Sequence, residues 1–240
     1  MSRIYDAMKR GATLEASRRS LVTAGPAGTP LVDRVAEGYQ QVLHAIQSRQ
    51  GAKCGGAILI VSAAHGEGTS TVARELATLL GRDGLSRAVL VDANLRTPSQ
   101  HQAFGVERSG GLTEVITRGL ALDQAVRNGN SSPVPLLTSG RPASHPMAVL
   151  GAPGLPAALE ALRSKFNWVI VDAPPTTVYS DAGMLAPLVD GVVLVVQAEK
   201  TRWQVAEQAK RTLEESGARL LGAVLSRRRY HSPQALYGWL

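Results

Sequence analysis

The chain has 240 residues, 44% of them hydrophobic, which is enough for one full α/β core. Twenty-six Lys and Arg against nineteen Asp and Glu give a net charge of +7, so an anionic partner is expected: a nucleotide, a membrane surface or a nucleic acid. Aromatic residues at 4% are too sparse for base stacking, which argues against nucleic acid, and the single cysteine, Cys54, excludes an internal disulfide and a cysteine zinc site and fits a reducing compartment.

The N-terminus lacks the apolar core of a signal peptide, and no run approaches the roughly 20 apolar residues that cross a bilayer. The expectation is a cytoplasmic protein with peripheral membrane contact at most. Residues 1–32 read as a short leading helix and a flexible linker, the latter rich in Gly and Pro from Ala24 to Pro30. Basic residues gather at the two ends, Lys9, Arg10, Arg18 and Arg19 near the start and Arg227, Arg228 and Arg229 near the finish. Such ends meet either solvent or acidic lipids.

From Asp33 the positions Val35, Tyr39, Val42 and Ile46 share one helical face. Ala57 to Ser62 is an apolar, β-branched strand, a glycine-containing turn follows, and Val72, Ala73, Leu76, Ala77 and Leu80 then recur at helical spacing. Arg87 to Asp92 is a second buried strand ending in a carboxylate, followed by the polar break Ala93 to Pro98. Leu112–Arg118 and Leu122–Val126 read as helices, Val134–Thr138 as a short strand before the loop Ser139 to Pro142, and Pro156–Lys165 as a helix. Asn167 to Asp172 is a third strong strand that also stops at aspartate. Pro174 and Pro175 must leave the sheet, because proline cannot donate to a ladder.

Gly191 to Gln197 is a central strand, Thr201–Ser216 a helix, and Leu220–Leu225 the last strand. Strands alternating with helices predict an α/β fold, a doubly wound and mostly parallel sheet with helices on both faces, spanning residues 33–229. Residues 230–240 form a tail.

The stretch His65, Gly66, Glu67, Gly68, Thr69, Ser70, Thr71 joins a strand to a helix through two glycines, which is the layout of a phosphate-binding loop. Ser70 stands where a Mg²⁺-ligating hydroxyl is expected. The pattern G-x-x-x-x-G-K-[ST], laid with its second glycine on Gly68, puts Ala63 at the first glycine and Thr69 at the lysine. Either the loop binds phosphate without that cation, or the glycines only turn a strand into a helix. Asp92 and Asp172 end strands, where ligands of open parallel sheets sit. Each aspartate alone could be a turn former; together with the loop they supply donors for phosphate, a carboxylate for metal and a carboxylate to accept a proton.

These motifs resemble the bacterial tyrosine kinases, the cytoplasmic ATP-binding modules of capsule and exopolysaccharide machinery and a branch of the deviant P-loop (MinD/ParA-like) ATPases. His65 to Thr71 looks like their Walker A loop, Val89 to Pro98 like the A′ motif, and Val169 to Pro175 like Walker B. Ser180-Asp181-Ala182, Val189 to Val196 and Thr201-Arg202 continue the pattern, as does the opening Met1 to Ala7. The resemblance covers roughly residues 33–229 and implies the P-loop NTPase fold, ATP and Mg²⁺ as cofactors, and phosphotransfer to tyrosine.

It further implies Asp92 and Asp172 as catalytic carboxylates, with Ser70 and Asp172 on the metal and Tyr230 and Tyr237 as phosphoacceptors. Arg96 either clamps phosphate as a third catalytic group or forms a salt bridge within the A′ loop. His65 reads as a loop-shaping residue. The implied partners are a membrane-anchored polysaccharide chain-length or co-polymerase protein and a second copy of the chain, at the inner face of the plasma membrane.

The chain departs from the family in four places. Thr69 replaces the Walker A lysine, Asn94 replaces the second A′ aspartate, and the oligomerising Glu-x-x-Arg-x-x-Arg pattern appears as Glu37, Gln40 and Leu43. The tyrosine-rich tail is reduced to Tyr230 and Tyr237. Two other functions therefore stand beside the kinase: a catalytically inactive pseudokinase that regulates polysaccharide assembly, and a MinD/ParA-type switch. The switch ranks last because Ala63, Ala64 and His65 offer no early lysine.

Overall fold

From Ala57 to Val61 every side chain is apolar and sealed from solvent. A strand of that kind needs cover on both faces, the condition of a parallel sheet between two helical layers. The structure, a computed structural model, describes residues 31–50, 55–82, 87–129 and 132–227, and it meets that condition. In chain order its elements are α1 (Leu31–Gln50), β1 (Gly56–Ser62), α2 (Thr69–Arg82), β2 (Ala88–Asp92), α3 (Gln100–Phe104), α4 (Leu112–Arg118), α5 (Leu122–Ala125) and β3 (Val126–Asn128). There follow β4 (Pro135–Leu137), α6 (Pro146–Leu150), α7 (Gly154–Lys165), β5 (Trp168–Asp172), α8 (Asp181–Leu185), a 3₁₀ turn (Ala186–Leu188), β6 (Gly191–Gln197), α9 (Trp203–Glu215) and β7 (Leu220–Ser226).

Among the described residues the strands form one seven-stranded sheet in the order β3-β4-β2-β5-β1-β6-β7. β3 runs antiparallel to β4 and every other neighbouring pair is parallel.

The period of two along each strand divides the core. Ile58, Ile60, Leu90, Ile170, Val193 and Val195 pack with Val42 and Ile46 of α1 and with Val72, Leu76 and Leu80 of α2. Leu59, Val61, Val91, Val171 and Leu194 face the other layer, where Leu112, Leu159, Leu162, Leu185 and Leu213 come from α4, α7, α8 and α9. Each such side chain stabilises the fold by about 1.5–3 kcal/mol relative to exposure. Trp168 is buried in the α1/α2 layer. Among the described residues no helix is long and apolar enough to cross a membrane.

Several boundaries differ from those read in the sequence. α1 begins at Leu31, two residues before Asp33. Of the leading helix and linker read in residues 1–32, positions 31 and 32 belong to α1 and the rest, like the tail 230–240, lies outside the described residues. The helix expected over Leu122–Val126 stops at Ala125, because Val126 turns extended (φ −80°, ψ 125°) and pairs with Leu137. The helix expected from Thr201 starts at Trp203, because the Thr201 hydroxyl is engaged with the N–H of Gln197 (3.1 Å). α3 and α6, at five residues each, are too short for apolar periodicity to register.

The register fixes what matters for chemistry. Asp172 pairs with Ile60 of β1 on one side and with Asp92 of β2 on the other. Three strand ends thus share one rim.

Candidate functional site

Beyond Ser62 the chain crosses from β1 to α2 through a loop whose shape depends on two glycines. Gly66 and Gly68 hold φ of 77° and 90°, in the left-handed region. A Cβ at Gly66 would meet nothing within 4 Å, and one at Gly68 would come no nearer than 3.9 Å to Ser226, so backbone conformation rather than space demands glycine. The Gly68 carbonyl accepts the Val72 N–H (2.9 Å) and opens α2.

The loop is tied down on three sides. The Ala63 N–H donates to Val195 O (3.2 Å), and the Thr177 hydroxyl donates to Ala63 O. Glu67 is buried, its carboxylate accepting the Ala64 N–H (2.7 Å) and the Thr201 hydroxyl, while the Ser226 hydroxyl donates to the Glu67 carbonyl. The Glu67 side chain therefore serves the loop's own shape and the β6–α9 corner. Within the predicted stretch, His65 and Thr71 are exposed, Ser70 is half-buried, and Thr69 is buried at the place of the expected lysine.

Next to the loop lie the two aspartates, both sealed from solvent. Asp92 Oδ1 accepts the Asn94 N–H (3.3 Å) and Oδ2 the Gln100 N–H (3.2 Å). Burial, then the neighbouring Asp172 charge, pushes Asp92 up to about 8. Asp172 is raised to about 6 by burial, against hydrogen bonds from the Ser70 and Gln100 side chains and the nearby Arg74 charge. Asp172 Oδ2 accepts Gln100 Nε2 (2.7 Å), whereas Oδ1 is buried without a hydrogen-bond partner.

Such an orphaned anionic oxygen is costly. The Asp172 carboxylate, to which the Ser70 side chain also hydrogen-bonds, suits a hard divalent cation that takes oxygen ligands. The donor set suits magnesium, with Ser70 and Asp172 as the residues able to hold it.

The A′ segment forms the outer wall. Asn94 Oδ1 accepts the Thr97 N–H (3.0 Å) and Asn94 Nδ2 donates to the Thr97 hydroxyl (3.2 Å), so the amide that replaces the family's aspartate folds its own turn. Arg96 does not bridge within this loop, which corrects one of the two readings made for it. Its guanidinium forms a two-pronged ion pair with Asp181 of α8 (2.8 Å for both bonds) and lies 4.1 Å from the centre of the Tyr179 ring. His65 meets the same ring edge-on at 5.6 Å. His65, Tyr179, Arg96 and Asp181 thus join the phosphate-type loop to the segments after β2 and β5.

The structure brings together Gly66 to Ser70, Asp92 and Asp172, and sets His65 and Arg96 at their edge. The proposed phosphoacceptors Tyr230 and Tyr237 lie outside the described residues. Sequence reasoning missed Gln100, whose burial no periodicity announces, and Tyr179, which looks like one more residue of a loop. It also gave no tertiary role to Ser226 or Gln197.

Comparison with known proteins agrees with this fold. The ParA family model, described as NUBPL iron-transfer P-loop NTPase, matches residues 53–235. The tyrosine-protein kinase YwqD of Bacillus subtilis (strain 168) is 34% identical over 183 residues, 75% of this chain and 77% of that protein. The tyrosine-protein kinase CpsD of Streptococcus agalactiae is 30% identical over 171 residues, 71% of this chain and 74% of that protein. Among solved structures, that of the chimerical protein CapA2B2 superposes with a TM-score of 0.75 at 27% identity, covering 81% of this chain and 85% of that one.

Proposed function

We propose, because this chain belongs to the ParA family of P-loop NTPases and within it to the bacterial tyrosine kinases, that it binds magnesium-bound ATP at the rim shared by β1, β2 and β5. There it acts as a tyrosine-kinase-like protein of exopolysaccharide or capsule assembly. The observation that carries the reading is the buried Asp172 carboxylate, which keeps one oxygen without a hydrogen-bond partner and takes a hydrogen bond from the Ser70 side chain at the start of the loop helix.

In this reading the main-chain N–H groups from His65 to Thr71 hold the phosphates, and Ser70 and Asp172 hold Mg²⁺, which when bound offsets phosphate charge. The oxygen of an incoming tyrosine attacks the γ-phosphorus, the bond to the β–γ bridging oxygen breaks, and ADP leaves. Asp92, in its ionised form, assists the incoming tyrosine by taking its proton. Thr69 brings no charge to the migrating phosphoryl group, a loss on the order of 3 kcal/mol or about a hundredfold in rate. Tyr230 and Tyr237 are the proposed acceptors. The proposed partner is a membrane-anchored chain-length protein at the inner face of the plasma membrane, with self-association as a second contact.

A second reading is a nucleotide-binding pseudokinase that works through its partner. Commitment of Arg96 to Asp181 favours it, because that cation is then withheld from phosphate. Incubation with Mg²⁺ and [γ-³²P]ATP separates the two. Phosphotyrosine that disappears in Asp172→Ala supports transfer; nucleotide binding with no incorporation supports the pseudokinase; absence of binding ends both.

A further inference from the structure

Gln100 is fully buried at the start of α3, and its position between the two carboxylates and the loop helix has no counterpart in the motifs read from the sequence. Its side-chain Nε2 donates both to Asp172 Oδ2 (2.7 Å) and to the main-chain carbonyl of Ser70 (2.9 Å). Its backbone N–H donates to Asp92 Oδ2 (3.2 Å). One residue therefore touches all three parts of the rim. Its remaining polar atom, Oε1, is buried without a hydrogen-bond partner, as is Asp172 Oδ1.

We propose that Gln100 is the positioning residue of the magnesium site, setting the spacing of Asp172 from the loop helix and offering Oε1 to a metal-bound water. The inference rests on the magnesium–nucleotide reading given above. Its physical basis is that an amide donates without carrying charge. A Lys or Arg in this place would orient Asp172 equally well but would neutralise it and compete with the cation. An apolar side chain would leave Asp172 Oδ2 and the Ser70 carbonyl unpaired. The amide holds the carboxylate in one orientation while the pair keeps its attraction for a divalent ion. A water on Mg²⁺ points its protons outward, which is what an unpartnered carbonyl oxygen accepts.

The test is calorimetric titration with ADP, once with Mg²⁺ and once with EDTA, on wild type, Gln100→Leu and the nearly isosteric Gln100→Glu. Circular dichroism first verifies that each variant is folded. Wild type is expected to bind ADP more tightly with Mg²⁺. In Gln100→Leu that magnesium-dependent gain is expected to fall by about tenfold or more, with a smaller change in EDTA. Gln100→Glu places a third carboxylate at the rim, so Mg²⁺ without nucleotide is expected to raise its melting temperature more than that of wild type.

Equal losses with Mg²⁺ and with EDTA, which a merely structural role would produce, overturn the inference, as does a wild-type magnesium gain in both variants. Should wild type bind ADP with no magnesium gain, the positioning role fails while nucleotide binding stands. Should it bind no ADP at all, the functional reading fails first and takes this role with it.

Discussion

Asp92 and Asp172 are register partners on adjacent parallel strands, and neither reaches solvent. Two buried carboxylates held side by side resist double ionisation, and both titrate above the ordinary range. The metal-free protein carries this as an electrostatic burden that the proposed cation at the rim would relieve.

That burden has a sign in pH. An unfolded Asp releases its proton near pH 3.9, whereas folded Asp92 keeps it up to about 8, so between those values the native state binds more protons than the unfolded one. Stability of the metal-free protein is therefore expected to fall as pH rises through this window, the Asp92 contribution approaching about 1.4 kcal/mol per pH unit. Urea unfolding in EDTA at pH 5, 6, 7 and 8, compared with Asp92→Asn, measures it. A variant with the same pH slope as wild type sinks the claim.

The Arg96–Asp181 pair is asymmetric, the Asp181 side chain being 0% exposed and that of Arg96 24%. Arg96→Ala leaves a buried charge alone and is expected to destabilise by about 3–5 kcal/mol. Asp181→Ala leaves a cation that can turn to solvent and is expected to cost less. Reversed ranking in thermal or urea unfolding would count against the pair as described.

Thr69→Lys restores charge to the loop. Under the kinase reading, turnover of Mg·ATP is expected to rise by about a hundredfold. A rate unchanged from an already high wild-type value would mean that another group supplies the charge.

Glu67 holds the loop from within. Glu67→Ala strips the Ala64 N–H and the Thr201 hydroxyl of their acceptor, with an expected loss of about 1–3 kcal/mol and weaker ADP binding. Thr201→Val should move both quantities in the same direction by less. ADP affinity equal to wild type in Glu67→Ala would show that the loop keeps its shape without the anchor.

The strands were legible because parallel strands covered on both faces are apolar at every position, as in Val192 to Val196, and a glycine turn or a terminal aspartate marks where they stop. The loop, Asp92 and Asp172 were legible for the same reason, since strand ends are where such a sheet exposes its edge. The family resemblance reached further, to the roles proposed for those residues. Short elements were not legible. α3 spans five residues, and β3 exists only because Val126 finds Leu137 to pair with.

What the amino-acid order determined by itself was the layering and the rim: periodicity is local, and a run of apolar residues states its own burial. What the tertiary structure alone decided was which side chain meets which across the rim. Gln100 reaches Asp172 over 72 positions, Arg96 reaches Asp181 over 85, and Glu67 reaches Thr201 over 134. A hydrogen bond between residues so far apart in the chain depends on strand order and register, and no local pattern encodes those.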